Sequence, residues 1–171
     1  MPKSKSHIEV IARGVLRRGS WLLVCKNAKG GYSYLPGGHV EFGEAAAVAL
    51  ARELMEEAGL RVRVRELVLA SEGVFQSRGE RHHELNLVFH VKHDRGAVAE
   101  PQTPPPPVRS LERHIEFEWV QLPELESIDL RPLSMRSWLM NWFKQGSPLN
   151  CSTWNTAISS IPRMHKFRRK G

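Results

Sequence analysis

Glu53, Glu56 and Glu57 stand at i, i+3 and i+4 within residues 45–58, a stretch that holds no proline or glycine and is bracketed by Gly43 and Gly59. The spacing predicts one helix with three carboxylates on a shared ridge. Ala47, Leu50, Ala51, Leu54 and Ala58 recur at three- and four-residue steps and supply the face to be buried. Like charges so placed repel by roughly 0.2–0.5 kcal/mol per pair, and near a helix C-terminus the dipole disfavours them further. Such a ridge calls for a cation. A hard divalent ion such as Mg²⁺ or Mn²⁺ takes oxygen ligands and keeps some of its water, which suits carboxylates facing a polyphosphate. The plainer alternative is a solvated acidic face partnered by Arg52, Arg61 and Arg63.

What stands before the helix changes that balance. Leu35-Pro36-Gly37-Gly38 ends an apolar run, and Gly43-Glu44 follows; glycine turns of this kind bring backbone close to a ligand or to the next helix. Written out, the pattern is Gly38, five residues, Glu44, seven residues, then Arg52-Glu53-Leu54-Met55-Glu56-Glu57-Ala58-Gly59-Leu60. This resembles the complete signature of the Nudix hydrolases, with every fixed position filled.

The resemblance implies an α+β fold, a Nudix-type α/β/α sandwich with a mixed β-sheet, and an enzyme: a pyrophosphohydrolase that hydrolyses the diphosphate linkage of a nucleoside diphosphate derivative with Mg²⁺, or Mn²⁺ in its place. It implies Glu53, Glu56 and Glu57 as metal ligands, with Glu57 and Glu53 as catalytic residues. Arg52 would orient a carboxylate, Glu44 would support the loop or metal shell, and Gly37 and Gly38 would leave backbone N–H groups near substrate. In this family the general base comes from the signature helix or from a later glutamate. Glu84, in His82-His83-Glu84-Leu85-Asn86, is the catalytic candidate, with Glu112 and Glu116 beside it. Adjacent His82 and His83 point to opposite faces of a strand, which reads as surface or substrate contact and not as a ligand pair.

Physical chemistry reaches the same reaction. A diphosphate bridge is ringed by negative oxygens that repel a nucleophile, so they must be neutralised and a water positioned and acidified. The resemblance, and not this chemistry, points to ADP-ribose or another nucleotide sugar, or a nucleoside triphosphate, as the substrate. The alternative is a module that keeps the fold and binds nucleotide or RNA as a sensor; loss of signature glutamates would mark it, and none is lost. Tyr32, Tyr34, Phe75 and Trp119 are rings that could stack a base, or simply pack.

These residues need a scaffold. At 171 residues and 41% apolar, the chain is long enough for a single domain with a sizeable core. Residues 8–15 and 21–26 read as a hairpin joined by Arg17-Arg18-Gly19-Ser20, residues 60–71 as one or two strands, and 85–92 and 115–120 as further strands. Leu122-Pro123-Glu124 opens a turn or short helix, and 132–144 read as a second helix. The proline run 101–107 cannot donate to a ladder and is expected as an extended surface loop.

The division expected is a hydrolase domain over 1–146 and a basic tail over 147–171, flexible or docked. The tail carries five Lys or Arg and no acid, so it accounts for most of a net charge of +7. A run like this attracts nucleic acid on paper, but a small nucleotide is the partner expected, with a homodimer as a family habit. Two cysteines form no framework, no stretch approaches the length of a membrane span, and residues 1–7 lack an apolar core, so the expected compartment is the cytoplasm.

Overall fold

The computed structural model describes residues 7–29, 31–77, 80–94, 104–145 and 155–158. Its centre is β1 (Glu9–Arg18), which turns at Gly19 and Ser20 into β2 (Trp21–Asn27). Only the end of the hairpin is zipped, through Arg17 opposite Leu22 and Arg18 opposite Trp21. Earlier along β1 the neighbours change: β6 (Glu80–His93) runs parallel to it from Glu9 opposite Glu84 to Leu16 opposite Val91, and β4 (Gly37–His39) lies antiparallel on the other side. β1 therefore belongs to two diverging halves of a mixed sheet. One half continues from β6 to β5 (Val62–Ser77); the other carries β2 between β3 (Ser33–Tyr34) and β7 (Ile115–Gln121).

Alternation along β1 feeds two cores, as a strand covered on both faces requires. Ala12 and Leu16 join Leu23, Val91 and the helix residues Ala49, Leu50 and Leu54 on one side. Val15, with Leu22, Val24, Leu69 and Val88, meets Met135, Trp138, Leu139 and Trp142 on the other. The first layer is α1 (Ala46–Ala58) and the second is α2 (Leu133–Gln145), which together with the sheet make the α/β/α sandwich expected from the sequence. α1 stops where the N–H of Gly59 reaches Met55 O and that of Leu60 reaches Leu54 O. The three glutamates are thereby left in its last turns.

Several elements differ in extent from the sequence reading. Residues 62–77 form one long strand, irregular between Val64 and Leu69, where one or two shorter ones are expected. β3 and β4 are not legible as strands, because Gly37 and Gly38 have poor strand propensity and only tertiary pairing holds them. Leu122–Glu126 is a 3₁₀ helix with a capping box between Gln121 and Glu124. Pro104 to Pro107 have no regular structure, as expected, whereas 101–103 lie outside the described residues. Of the tail, only β8 (Asn155–Ile158) is described, parallel to β5 from Ser71 to Val74. No helix among the described residues is long and apolar enough to cross a membrane.

Candidate active site

One arginine organises the acidic ridge. Arg52 Nε and Nη2 donate to the two oxygens of Glu44 at 3.0 Å each, a bidentate grip. Its Nη1 donates to Glu53 Oε1 at 2.9 Å and Glu56 Oε2 at 3.0 Å, and Nη2 also reaches the carbonyl of His39 at 3.2 Å. The bond to Arg52 holds the Glu44 carboxyl below its usual range, and the surrounding carboxylates keep Arg52 firmly protonated. A side chain on α1 thus fixes the loop that leads into α1.

The glycines let loop and helix close on one another. A Cβ on Gly38 would overlap the carboxylate of Glu53. Gly37 sits at φ 130°, and a Cβ there would drive into the carbonyl of Ala12 on β1. Gly37→Ala is therefore expected to destabilise the protein by about 2–4 kcal/mol. Denaturant unfolding measures this; a loss under 1 kcal/mol, on the order of a surface substitution, would contradict the packing described.

Glu57 departs from its neighbours. It is 8% exposed, and its Oε2 has no hydrogen-bond partner among the described residues. Burial pushes its carboxyl up to about 7, the charges of Glu53, Glu112 and Glu56 add to the rise, and the Arg13 guanidinium opposes it. Glu112 arrives on the segment between the prolines and β7. That segment is fastened by Leu111 N–H donating to the carbonyl of Glu57 at 2.7 Å and by Trp119 Nε1 donating to the carbonyl of Pro106 at 3.1 Å. Cys25 is a buried free thiol raised by the same desolvation, far from a nucleophile's state.

Arg13 is the residue that sequence reasoning passed over. Its Nη1 donates to the carbonyls of Leu35 at 3.2 Å and Gly37 at 3.0 Å, and its guanidinium lies 5.1 Å from the centre of the Tyr34 ring. The available signal was a charge in the middle of the apolar run of β1. Glu9 and His39 were missed as well: Glu9 bonds His39 Nε2 at 2.9 Å and His82 Nδ1 at 3.1 Å.

The structure brings Gly37, Gly38, Glu44, Arg52, Glu53, Glu56 and Glu57 together. It does not bring Glu84 to them; that residue stands in register with Glu9 and accepts from Asn86 Nδ2 at 3.3 Å. Glu116 is on β7 opposite Lys26, and His82 and His83 do face opposite ways, His83 bonding Glu72 at 2.7 Å. Among the described residues, no three His, Cys, Asp or Glu side chains converge as a ready metal cage, since Arg52 draws Glu53 and Glu56 to itself. The donor chemistry nevertheless fits a hard cation, because the ridge is all carboxylate and one buried carboxylate oxygen is unpartnered.

A family model described as the NUDIX domain matches residues 5–142. An ADP-ribose pyrophosphatase of Methanocaldococcus jannaschii is 36% identical over 88 residues, which cover 48% of this chain and 50% of that protein, so the match spans half the relative's length. Among solved structures, a MutT protein from Methanosarcina mazei Go1 superposes with a TM-score of 0.61 at 20% identity, covering 83% of this chain and 97% of the other. A NUDIX hydrolase from Nitrosomonas europaea gives 0.57 at 20% identity, with 91% and 82% covered. At such identities the two structures speak for the fold.

Proposed function

The chain belongs to the NUDIX domain family, and from that premise we propose that it is a pyrophosphohydrolase, which hydrolyses the diphosphate linkage of a nucleoside diphosphate derivative with Mg²⁺ or Mn²⁺. The observation that carries the proposal is Glu57, a buried carboxylate with an unpartnered oxygen next to two more carboxylates on the same helix. An ionised group in that position needs a cation to offset it. ADP-ribose and other nucleotide sugars, or nucleoside triphosphates, are the substrates proposed; the archaeal ADP-ribose pyrophosphatase supports the first group.

Glu53, Glu56 and Glu57 would hold the ion. When bound, it neutralises diphosphate oxygens and acidifies a water. Arg52 keeps Glu44, and through it the glycine loop, in place with Nε and Nη2 even when Glu53 and Glu56 turn from Nη1. Glu112 follows Leu111, whose N–H bonds the Glu57 carbonyl, and its charge acts on the Glu57 carboxyl, which supports it as the base candidate proposed to take the proton of the attacking water. Glu84, set against Glu9, is proposed as a substrate contact in place of a base. Residues 1–146 are proposed as the hydrolase unit, with 147–171 appended and β8 alongside β5. The buried free thiol of Cys25 agrees with a reducing compartment such as the cytoplasm.

A phosphate-release screen tests this, with Mg²⁺, Mn²⁺ and chelator against ADP-ribose, nucleotide sugars, nucleoside triphosphates and dinucleoside polyphosphates. Turnover is expected with either ion and is expected to vanish with chelator. Tight nucleotide binding without turnover on any of them would return the sensor alternative.

A further inference from the structure

Arg13 and Glu9 project from the same face of β1, four residues apart, so that at about 3.3 Å per residue roughly 13 Å separate them along the strand. The two ends of this face carry opposite charge. At one end Arg13 donates from Nη1 to the loop carbonyls of Leu35 and Gly37, which leaves the Nε and Nη2 edge of its fork for a ligand, and its charge acts on the carboxyl of buried Glu57. At the other end Glu9 joins His39 to His82, Glu84 lies next to it on β6, and the 37% exposed ring of Phe75 stacks on His82 at 5.3 Å and 13°.

Between Glu9 and Ile11, the positions of β1, β4, β5 and β6 that share this face carry no lysine or arginine among the described residues. A phosphate placed there would meet two carboxylates and no fixed cation. Sugar hydroxyls would find what they need, since carboxylates accept from O–H groups and an aromatic ring covers the apolar side of a ring ligand.

We propose, resting on the hydrolase reading above, that the substrate lies along this face of β1, with its diphosphate at Arg13 and an uncharged sugar against Glu9 and Glu84. The class favoured is a nucleoside diphosphate linked to a sugar, of which ADP-ribose is one, over a nucleoside triphosphate. Glu84 acts as a specificity residue: it accepts from sugar hydroxyls and repels a terminal phosphate.

The test compares ADP-ribose with ATP on the wild type and on Glu84→Gln, which keeps the shape and the reach to Asn86. The wild type is expected to favour ADP-ribose in kcat/KM by about tenfold or more. Glu84→Gln is expected to raise KM for ADP-ribose about tenfold, leave kcat within about threefold, and lower KM for ATP, so that the preference narrows. Equal or better turnover of ATP by the wild type, or an unchanged preference in the variant, would overturn the inference. So would a kcat that collapses alike for both substrates, since a general base would behave in that way. If no diphosphate derivative is turned over, the hydrolase reading fails separately, and calorimetric titration of the protein with ADP-ribose and with ATP still decides the site: ATP binding as tightly as ADP-ribose overturns it.

Discussion

Glu57→Gln is expected to lose turnover on the order of 1,000-fold in kcat while making the protein more stable in the presence of chelator. The two effects share a cause. Glu57 is buried with one oxygen unpartnered, so its charge is a burden to the fold and an asset only to a cation. Charge stabilisation by a bound ion is worth several kcal/mol, and about 1.4 kcal/mol is a factor of ten in rate. The gain in stability has a defined pH window. The Glu57 carboxyl is pushed up to about 7 in the fold against an ordinary 4.5, so between those values the folded protein holds a proton that the unfolded chain has released. Wild-type stability from this group is therefore full below 4.5 and falls as pH rises through about 7. Glutamine has no such titration: the variant is expected to match the wild type at pH ~4 and to exceed it at pH ~8 by about 3 kcal/mol, or roughly 6–12 °C in Tm. Calorimetric melts at both pH values with chelator check this. A variant less stable at high pH would show that Glu57 has a partner the structure does not reveal.

Gly38→Ala is the second large effect, with the opposite division between activity and stability. The added methyl would occupy the place of the Glu53 carboxylate. That carboxylate is the tip of a flexible side chain, so it can swing away at little expense to the fold, but it then leaves Arg52 Nη1 and the ridge it shares with Glu56 and Glu57. A displacement of about 1 Å in such a group can lower the rate about 100-fold. The expected result is a loss of that size in kcat, with Tm within about 3 °C of the wild type. Melting curves and steady-state rates on the same preparation separate the two; a variant with normal rates would mean that the position of Glu53 is immaterial to turnover.

How much of this the chain announces depends on how locally each feature is encoded. The helix of residues 46–58 was legible because the apolar face recurs at helical spacing and glycines bracket it, and the three glutamates share a ridge by arithmetic alone. The clasp of Arg52 on Glu44 spans only eight residues and lies within the signature. Arg13 is different: its partners are carbonyls 22 and 24 residues away, and main-chain oxygens leave no trace in side-chain identity. Glu9, His39 and His82 are likewise joined across separations of 30 and 73 residues, by the register of β4 and β6 on β1. The same register pairs Glu84 with Glu9, 75 residues apart in the chain, which no local pattern around His82-His83-Glu84 records. β4 escaped notice because its strand character resides in pairing and not in residues such as Gly37 and Gly38.

The strap from Pro106 to Leu111 has a bearing on how this protein can diversify. It is buckled at one end to the indole of Trp119 and at the other to the last turn of α1, at the carbonyl of Glu57 itself. The four residues between the buckles form a ruler: adding or deleting one there would move Glu112 relative to Glu57, whereas side-chain exchanges at those positions leave its length alone. Point substitution is thus open at Pro107 and Arg109, restrained at Val108, which packs against the core beneath α1, and at Ser110, whose hydroxyl bonds the Glu112 backbone, while length change is closed throughout. Inherited variation among descendants of this chain should accordingly show fixed spacing between residues 106 and 111, with free lettering confined to positions 107 and 109.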